Sequence, residues 1–276
     1  MKLFRHILIV SALILSALCS CNKVEDGVSA EELSYSYSIS LPEVKSVTAD
    51  GATINKVWFA LYNIDNNALV TKYAPVEFKE GRANCEVVMM RGRSYKIVFV
   101  AQYYKDSVTP TYPIDEENAT ILLPDSPLAN SDKMDLFYGI DEVINYDGTP
   151  NGSIVLDRAV AMVNFICTDA DWEAAVANNM TPTHSSIVLS GVSTQFNLFS
   201  GAAGTDKTNL TYARSEIPSA KHVGAVFCLP HGKVTATLNL YNSSDETAAP
   251  TKTLTVTEVQ VEKNKKSNIT GNIITE

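Results

Sequence analysis

Histidines are the residues of this chain best suited to acid–base or metal chemistry near neutral pH. Beyond residue 20 there are three of them, His184, His222 and His231. His222 and His231 flank the apolar run VGAVFCLP, and an extended chain at about 3.3 Å per residue would separate them by roughly 30 Å. The sequence contains no GxSxG, HExxH, P-loop or dinucleotide-binding motif. We therefore expect no catalytic residues, no metal centre and no cofactor, and we predict that the protein is not an enzyme.

Two further groups could bind a ligand. The acidic turn at residues 115–117 could hold Ca²⁺, but the spacing of an EF-hand is absent, and a solvated turn fits the sequence better. Tyr103, Tyr104 and Tyr112 could form a stacking platform for a sugar, although tyrosines at strand ends more often belong to the rim of a core.

The cysteines indicate packing rather than chemistry. Cys85, Cys167 and Cys228 each lie within an apolar run, and no spacing matches a metal pair or a CxxC redox motif. We predict buried thiols, and a disulfide between two of the three is left open.

The N-terminus predicts an exported lipoprotein. Lys2 and Arg5 precede an apolar run, 7–18, which has the length of a signal peptide and is too short to anchor in a bilayer. The run ends in LCSC, which resembles a lipobox with Cys21 as the site of acylation; an ordinary secretory signal is the alternative. Removal of residues 1–20 would change the formal charge from −9 to −11. A chain this acidic, with scattered basic residues, is not expected to bind nucleic acid.

From residue 32 onward the pattern is that of short strands separated by turns. Apolar segments such as VWFALY, CEVVMM and KVTATLNLYN alternate with turn residues, and one short helix is predicted between Thr168 and Asn179. A loop-like break, NYDGTPNGS, divides the chain near residue 150. The sequence therefore predicts an all-β protein with a flexible lipidated tether at 21–31 and two antiparallel β-sandwich domains, at 32–150 and 151–276.

The segment ELSYSYSISLP, from Glu32 to Pro42, has the most regular pattern in the chain. Tyr35, Tyr37, Ile39 and Leu41 alternate with serines. Successive side chains of a strand point to opposite faces, so this segment is predicted to be a strand with one apolar face and one hydroxyl face.

The C-terminal segment VQVEKNKKSNITGNIITE resembles the closing motif of the fimbrillin superfamily, the pilus subunits and related surface lipoproteins of Bacteroidales-type bacteria. That motif has an apolar strand, then asparagine and basic residues, then an ending similar to TNI-x-GN-LLT, with Ser267 here in place of threonine. VLDRAVAMVNF, which contains Arg158, resembles the strand that opens the family's second domain. The resemblance extends over nearly the whole chain, and it implies two tandem transthyretin-like β-sandwich domains displayed at the outer membrane.

In polymerising fimbrillins a protease removes the first strand of a lipidated precursor, and a strand from the next subunit fills the groove. The resemblance therefore implies a structural subunit of a fimbria-like polymer that acts in adhesion, with other copies or related subunits as partners and a ligand on a host or bacterial surface. The exchangeable strand would be the one that carries Tyr35, Tyr37, Ile39 and Leu41. The candidate donor residues lie near the C-terminus: Leu254, Val256, Val259, Val261, Ile269 and Ile273.

The loop after this strand departs from the family pattern. Some members are cut there after arginine, but arginine is absent between Leu33 and Gly81. Lys45 and Lys56 are therefore the candidate processing sites, for a different protease. An uncut chain would instead keep its lipid and act as an anchor subunit, or as a monomeric surface lipoprotein that binds a glycan or a protein. In that case the segment 35–41 would be a permanent edge strand.

Overall fold

The computed structural model describes residues 31–42, 54–148, 152–168, 172–177 and 181–273, and these are folded almost entirely into β-strands. The first eleven strands are β1 Glu32–Ser40, β2 Lys56–Asn63, β3 Leu69–Lys72, β4 Val76–Glu77, β5 Arg82–Met90, β6 Tyr95–Gln102, β7 Tyr104–Lys105, β8 Thr109–Pro110, β9 Ile114–Asp115, β10 Thr120–Leu122 and β11 Leu136–Val143. The next eleven are β12 Gly152–Val155, β13 Asp157–Arg158, β14 Ala161–Cys167, β15 His184–Ser193, β16 Gln195–Asn197, β17 Ala202–Ala203, β18 Lys207–Glu216, β19 His222–Cys228, β20 Gly232–Tyr241, β21 Lys252–Val261 and β22 Lys266–Gly271. A 3₁₀-helix at Asp132–Met134 and an α-helix, α1, at Trp172–Ala177 accompany them.

The first β-sandwich packs a three-stranded sheet on a larger one. The smaller sheet has the order β12–β1–β5, and the larger has the order β13–β11–β6–β2–β3, with β4 also paired to β2. Side chains from both sheets form one buried cluster, which includes Tyr37, Ile39, Phe59, Val87 and Phe99. Strand β1 is therefore the central strand of the smaller sheet and one wall of this core.

The second β-sandwich is built in the same way from later strands. One sheet has the order β19–β14–β22 and the other has the order β18–β15–β20–β21. Their shared core includes Val163, Phe165, Leu189, Leu238 and Val261. Strands β21 and β22, which carry the C-terminal motif, are edge strands of these two sheets.

A third apolar layer joins the two sandwiches. It contains Trp58 and Tyr62 of β2, Val98 of β6, Phe196 of β16 and Phe227 of β19. A four-stranded sheet of order β17–β16–β10–β9 belongs to this layer and pairs strands from both halves of the sequence. Strands β2 and β6 therefore bury both of their faces, which explains why their sequences are continuous apolar runs instead of alternating ones.

The predicted all-β fold is confirmed. The six residues of α1 lie inside the segment predicted to be helical, and Trp172 packs against the second core. Strands β12 and β13 follow residue 150 but pair with β1 and β11, so the first sandwich includes strands from both sides of that position. The predicted domain boundary itself stays a prediction. Within the ranges described, no helix is long and apolar enough to cross a membrane.

Candidate functional site: the slot occupied by the first strand

Strand β1 is held by backbone pairing on both of its edges. Its nine residues pair in antiparallel register with β5, and its C-terminal part pairs in parallel register with β12. The pairing continues past β12, where the amide nitrogen of Leu156 donates to the carbonyl oxygen of Ser40 at 2.9 Å. Strand β1 ends at Ser40, and the next strand, β2, begins at Lys56. We call the space that β1 fills between β5 and β12 the slot.

The inner face of β1 supplies large side chains to the first core. Tyr37 and Ile39 are 1% and 0% exposed, and Leu33, Tyr35 and Leu41 pack partly buried against the same core. The serines between them point to the opposite face, as the alternation of a strand requires. The predicted strand is confirmed, whereas its exchange stays a prediction.

Tyr37 makes a hydrogen bond, two aromatic contacts and a close backbone approach within the slot. Its hydroxyl donates to Oδ2 of Asp141 on β11 at 2.7 Å, and its ring centroid is 5.0 Å from that of Phe99 and 4.7 Å from that of Tyr35. Gly152 lies opposite Tyr37 on β12, and a Cβ at Gly152 would be only 2.9 Å from Cε1 of Tyr37. Burial, and then the neighbouring Asp141 carboxylate, raise the pKa of Tyr37 well above its ordinary value, so the hydroxyl keeps its proton and donates it to the hydrogen bond.

Asp141 was not identified as a site residue in the sequence analysis. It lies on the inward face of β11 together with Gly139 and Val143, which also face the smaller sheet. An acidic residue at the inward position of an alternating strand is the signal that could have identified it, because a carboxylate inside a sandwich requires a donor.

The structure describes one of the two candidate processing residues, Lys56. Lys45 lies outside the described residues, and so does Cys21, the candidate site of lipid attachment. Lys56 is the first residue of β2, where it pairs with Gln102 on β6 and with Glu77 on β4, and its Nζ lies 3.5 Å from a carboxylate oxygen of Glu77. Proteolysis favours exposed segments without such pairing, so the position of Lys56 disfavours cleavage there in the folded chain. Processing at either lysine stays a prediction.

The candidate donor residues all contact the second core. Three of them are buried there and three are partly buried. They lie on β21, on β22 and just beyond β22: Leu254, Val256, Val259, Val261, Ile269 and Ile273. Donation to another subunit would require these strands to leave their own sandwich, and their donor role stays a prediction.

Two asparagines of the C-terminal motif hold β22 against β14. The side-chain amide of Asn164 donates to Oδ1 of Asn268 at 3.0 Å. The hydroxyl of Thr168 donates to Oδ1 of Asn272 at 3.2 Å. Asn164 is fully buried, so these contacts fix the register of an edge strand that backbone pairing holds on one side.

Arg158 connects the first core to the layer between the sandwiches. Its Nε and Nη2 donate to the two carboxylate oxygens of Asp135 at 2.9 and 2.8 Å. Its guanidinium carbon lies 5.3 Å from the ring centroid of Phe137 and 5.9 Å from that of Phe227. Burial raises the pKa of Asp135 even though the ion pair with Arg158 acts in the opposite direction.

The histidines are dispersed over the second half of the chain. His184 lies on β15, His222 lies on β19 with its Nδ1 3.4 Å from Oδ1 of Asn164, and His231 follows the end of β19. In the part of the chain that the structure describes, no three His, Cys, Asp or Glu side chains come together as a metal site.

The acidic turn is occupied by contacts within the chain. Asp115 accepts hydrogen bonds from the backbone and side-chain amides of Asn118, and Glu116 forms an ion pair with Lys72. These contacts are those of a solvated turn.

The three tyrosines do not present a common exposed face. Tyr104 and Tyr112 are 4% and 1% exposed, and the Tyr112 hydroxyl donates to the carbonyl oxygen of Met134 at 2.8 Å. Tyr103 is partly buried, with the ammonium of Lys133 5.2 Å from its ring centroid. They belong to the rim of a core and do not form the stacking platform considered from the sequence.

The predicted burial of the cysteines is confirmed. Cys85 lies in the first core, and Cys167 and Cys228 lie in the second. Burial raises the pKa of Cys85 and of Cys228 to about 12. Cys85 lies on β5 opposite Tyr37, directly beside the slot.

A protein-family model described as a family of unknown function (DUF6562) matches residues 27–276. No curated protein matches the chain. Similar crystal structures include a candidate cell adhesion protein from Bacteroides ovatus ATCC 8483, with 12% identity, a TM-score of 0.48 and coverage of 88% of this chain and 93% of that one. A fimbrial assembly protein from Parabacteroides distasonis ATCC 8503 has 12% identity, a TM-score of 0.47 and coverage of 89% and 94%. Candidate polysaccharide-binding proteins (DUF1812) from Bacteroides thetaiotaomicron VPI-5482 have 16% identity, a TM-score of 0.47 and coverage of 76% and 77%. Similarities at this level carry no conclusion about function.

Proposed function

The chain belongs to DUF6562, a family of unknown function, and we propose that it is a surface lipoprotein and a non-catalytic subunit of a fimbria-like polymer. Lipid on Cys21 attaches the precursor to the outer membrane, proteolysis within residues 43–53 frees β1, and a strand of another subunit takes its place. The observation that carries the proposal is the position of β1: it is the central strand of its sheet, it supplies Tyr37 and Ile39 to the first core, and it precedes every other described strand, so a single cut after it would separate the whole strand.

Strand addition explains how such an exchange would be driven. Backbone hydrogen bonds from β5 and β12 hold an incoming strand, and pockets at alternate positions select its side chains. An empty slot would expose two strand edges together with the apolar surface that Tyr37 and Ile39 now cover. Burying a side chain of this size contributes about 1.5–3 kcal/mol. A subunit that has lost β1 therefore has a strong tendency to bind a replacement strand.

A role in adhesion follows, within this proposal, from display of the polymer at the cell surface. The alternative is a monomeric surface lipoprotein that binds a glycan or a protein, and the burial of Tyr104 and Tyr112 disfavours a tyrosine platform as its glycan site.

A direct test is to cut the linker deliberately. The recognition site of a sequence-specific protease is inserted within residues 46–52 of the chain that begins at Asn22, and the purified protein is cut. A fluorescently tagged synthetic peptide of residues 31–42 is then added, and its binding is followed on unheated SDS gels. We expect the cut protein to release its own β1 and to bind the added strand in an SDS-resistant form, while the uncut protein does not bind it.

A locked variant provides the matched control. Ser38 and Asn84 lie opposite each other on β1 and β5, and Cα atoms of such pairs are about 4.5–5.5 Å apart, within the range of a disulfide. Ser38→Cys combined with Asn84→Cys would tie β1 into the slot. The cut, oxidised variant should bind the added peptide only after reduction. Binding by the oxidised variant, or none by the cut and reduced protein, would contradict the proposal.

The native protein offers a second test. Intact-mass and N-terminal mapping of material from the cell surface should find a start between Val44 and Val57 with the lipid absent. An acylated Cys21 still joined to β1 would instead identify an anchor subunit or a solitary lipoprotein.

A further inference from the structure

We propose that the slot selects an incoming strand that carries tyrosine at the position of Tyr37, so that the C-terminal strands of this same chain do not fill it. The inference rests on the proposed strand exchange and specifies the partner: an extended segment of another subunit with the pattern aromatic-x-Tyr-x-Ile, as β1 has at residues 35–39. Two features of the slot, one chemical and one steric, carry this inference.

The chemical feature is the carboxylate of Asp141. It faces the slot from β11, and its Oδ2 accepts the hydroxyl proton of Tyr37 at 2.7 Å. Tyr37 is 1% exposed and Asp141 is partly buried, so the strand shields this hydrogen bond in part from water. A strand with valine, leucine or phenylalanine at this position would cover the carboxylate and remove that donor. Leaving a partly buried acceptor without its donor is unfavourable, so Asp141 discriminates against the wrong strand.

The steric feature is the space beside Gly152. A Cβ at Gly152 would come within 2.9 Å of Cε1 of Tyr37 and 3.0 Å of the hydroxyl of Tyr35. Glycine at this position leaves room for two aromatic rings side by side, and Phe99 closes the space on the Tyr37 side. An aliphatic side chain in place of Tyr37 would leave part of this volume empty, and a cavity in a core is destabilising.

The C-terminal strands meet neither requirement. Residues 252–276 contain no aromatic residue. With Val256 or Ile269 in the place of Tyr37, Asp141 would be covered without its hydroxyl donor and the ring space would be partly empty. The structure therefore favours assembly with a second type of subunit, or with the β1 of an uncut copy, over a homopolymer built from C-terminal donors.

Competition between synthetic peptides tests this selectivity without altering the residues that line the slot. The cut protein is unfolded in urea and refolded with an equimolar mixture of peptides, and bound peptides are counted by native mass spectrometry. The mixture contains residues 31–42 as wild type and as Tyr37→Phe, together with segments 252–262 and 264–273. We expect the wild-type peptide to exceed Tyr37→Phe by about tenfold or more, as for a hydrogen bond to a charged group, and the C-terminal peptides to be absent.

Two controls separate this inference from strand exchange itself. A Ser36→Ala peptide changes the outer face of β1 and should bind within about twofold of wild type. In Asp141→Leu protein, the preference for tyrosine over phenylalanine should disappear or reverse. Equal binding of the tyrosine and phenylalanine peptides to the unaltered slot would overturn the selectivity while leaving exchange intact. If no peptide binds, including the wild-type one, the proposed function fails as well.

Discussion

Replacing Arg158 with methionine is expected to destabilise the fold because it removes one partner of a buried ion pair. The side chains of Arg158 and Asp135 are 19% and 9% exposed, and the guanidinium also lies near the rings of Phe137 and Phe227. Methionine retains much of the apolar stem of arginine. It leaves the carboxylate of Asp135 in place without its cationic, bidentate donor.

The magnitude follows from the burial of the pair. Breaking a buried ion pair by removing one partner costs about 3–5 kcal/mol of unfolding free energy. With a slope of about 3 kcal/mol per molar urea, this lowers the urea midpoint by about 1–1.7 M. The effect should also depend on pH. Burial already raises the pKa of Asp135, and loss of the arginine raises it further. An acid with a higher pKa in the folded state than in the unfolded state stabilises the fold as pH falls, so the deficit of the variant should shrink from pH 7 to pH 5.

An exposed pair provides the control for this measurement. Lys233 and Glu258 form an ion pair at 2.5 Å with side chains that are 59% and 69% exposed, so Lys233→Met should cost less than about 1 kcal/mol. Combining Asp135→Leu with Arg158→Met should recover part of the loss, because no unpaired charge is then buried. Equal costs for the two methionine variants, or a deficit that grows between pH 7 and pH 5, would refute the reasoning.

Two further predictions concern the slot. Ile39→Ala should lower the unfolding free energy by about 2–5 kcal/mol in urea titrations because it deletes a fully buried side chain. Ser38→Ala on the outer face should change the unfolding free energy by less than about 0.5 kcal/mol. Equal losses would show that the inner face does not hold the strand. Burial raises the pKa of Cys85 to about 12, so iodoacetamide at pH 8 should not label it in the intact protein and should label it once β1 is removed. Cys228 in the second core should resist labelling in both states, and mass spectrometry of the alkylated peptides measures both; labelling of Cys85 in the intact protein would count against a filled slot.

The faces of β1 could be predicted from the sequence because a strand has a period of two, and its alternating tyrosines and serines leave a single arrangement. Strand β2 was predicted from a short apolar run, VWFALY, followed by turn residues, and not from alternation. Such a run could not show that both faces of the strand are buried, because that depends on the second sandwich packing against the first. The apparent sugar platform was misleading for a related reason: the burial of Tyr104 and Tyr112 is decided by distant strands and not by their neighbours in sequence.

The strands and side chains that border the slot could not be predicted from local sequence patterns. Strand β12 pairs with β1 although it lies far along the chain, and no turn chemistry connects the two. Asp141 acquires its role only because β11 lies across the core from β1. The sequence could therefore indicate which strand fills the slot. The residues that line the slot could be identified only from the three-dimensional fold.

The parallel pairing of β1 with β12 also has a consequence for the order of folding. Hairpins such as β20 with β21 close short loops and can form early, whereas joining β1 to β12 closes a long loop at a greater entropic cost. Strand β1 is synthesised before any other described strand, yet its second edge stays unpaired until β12 has been made. Every newly made chain thus passes through an interval in which the slot is only half closed. During that interval a strand from a neighbouring chain can compete with β1 without first having to displace it.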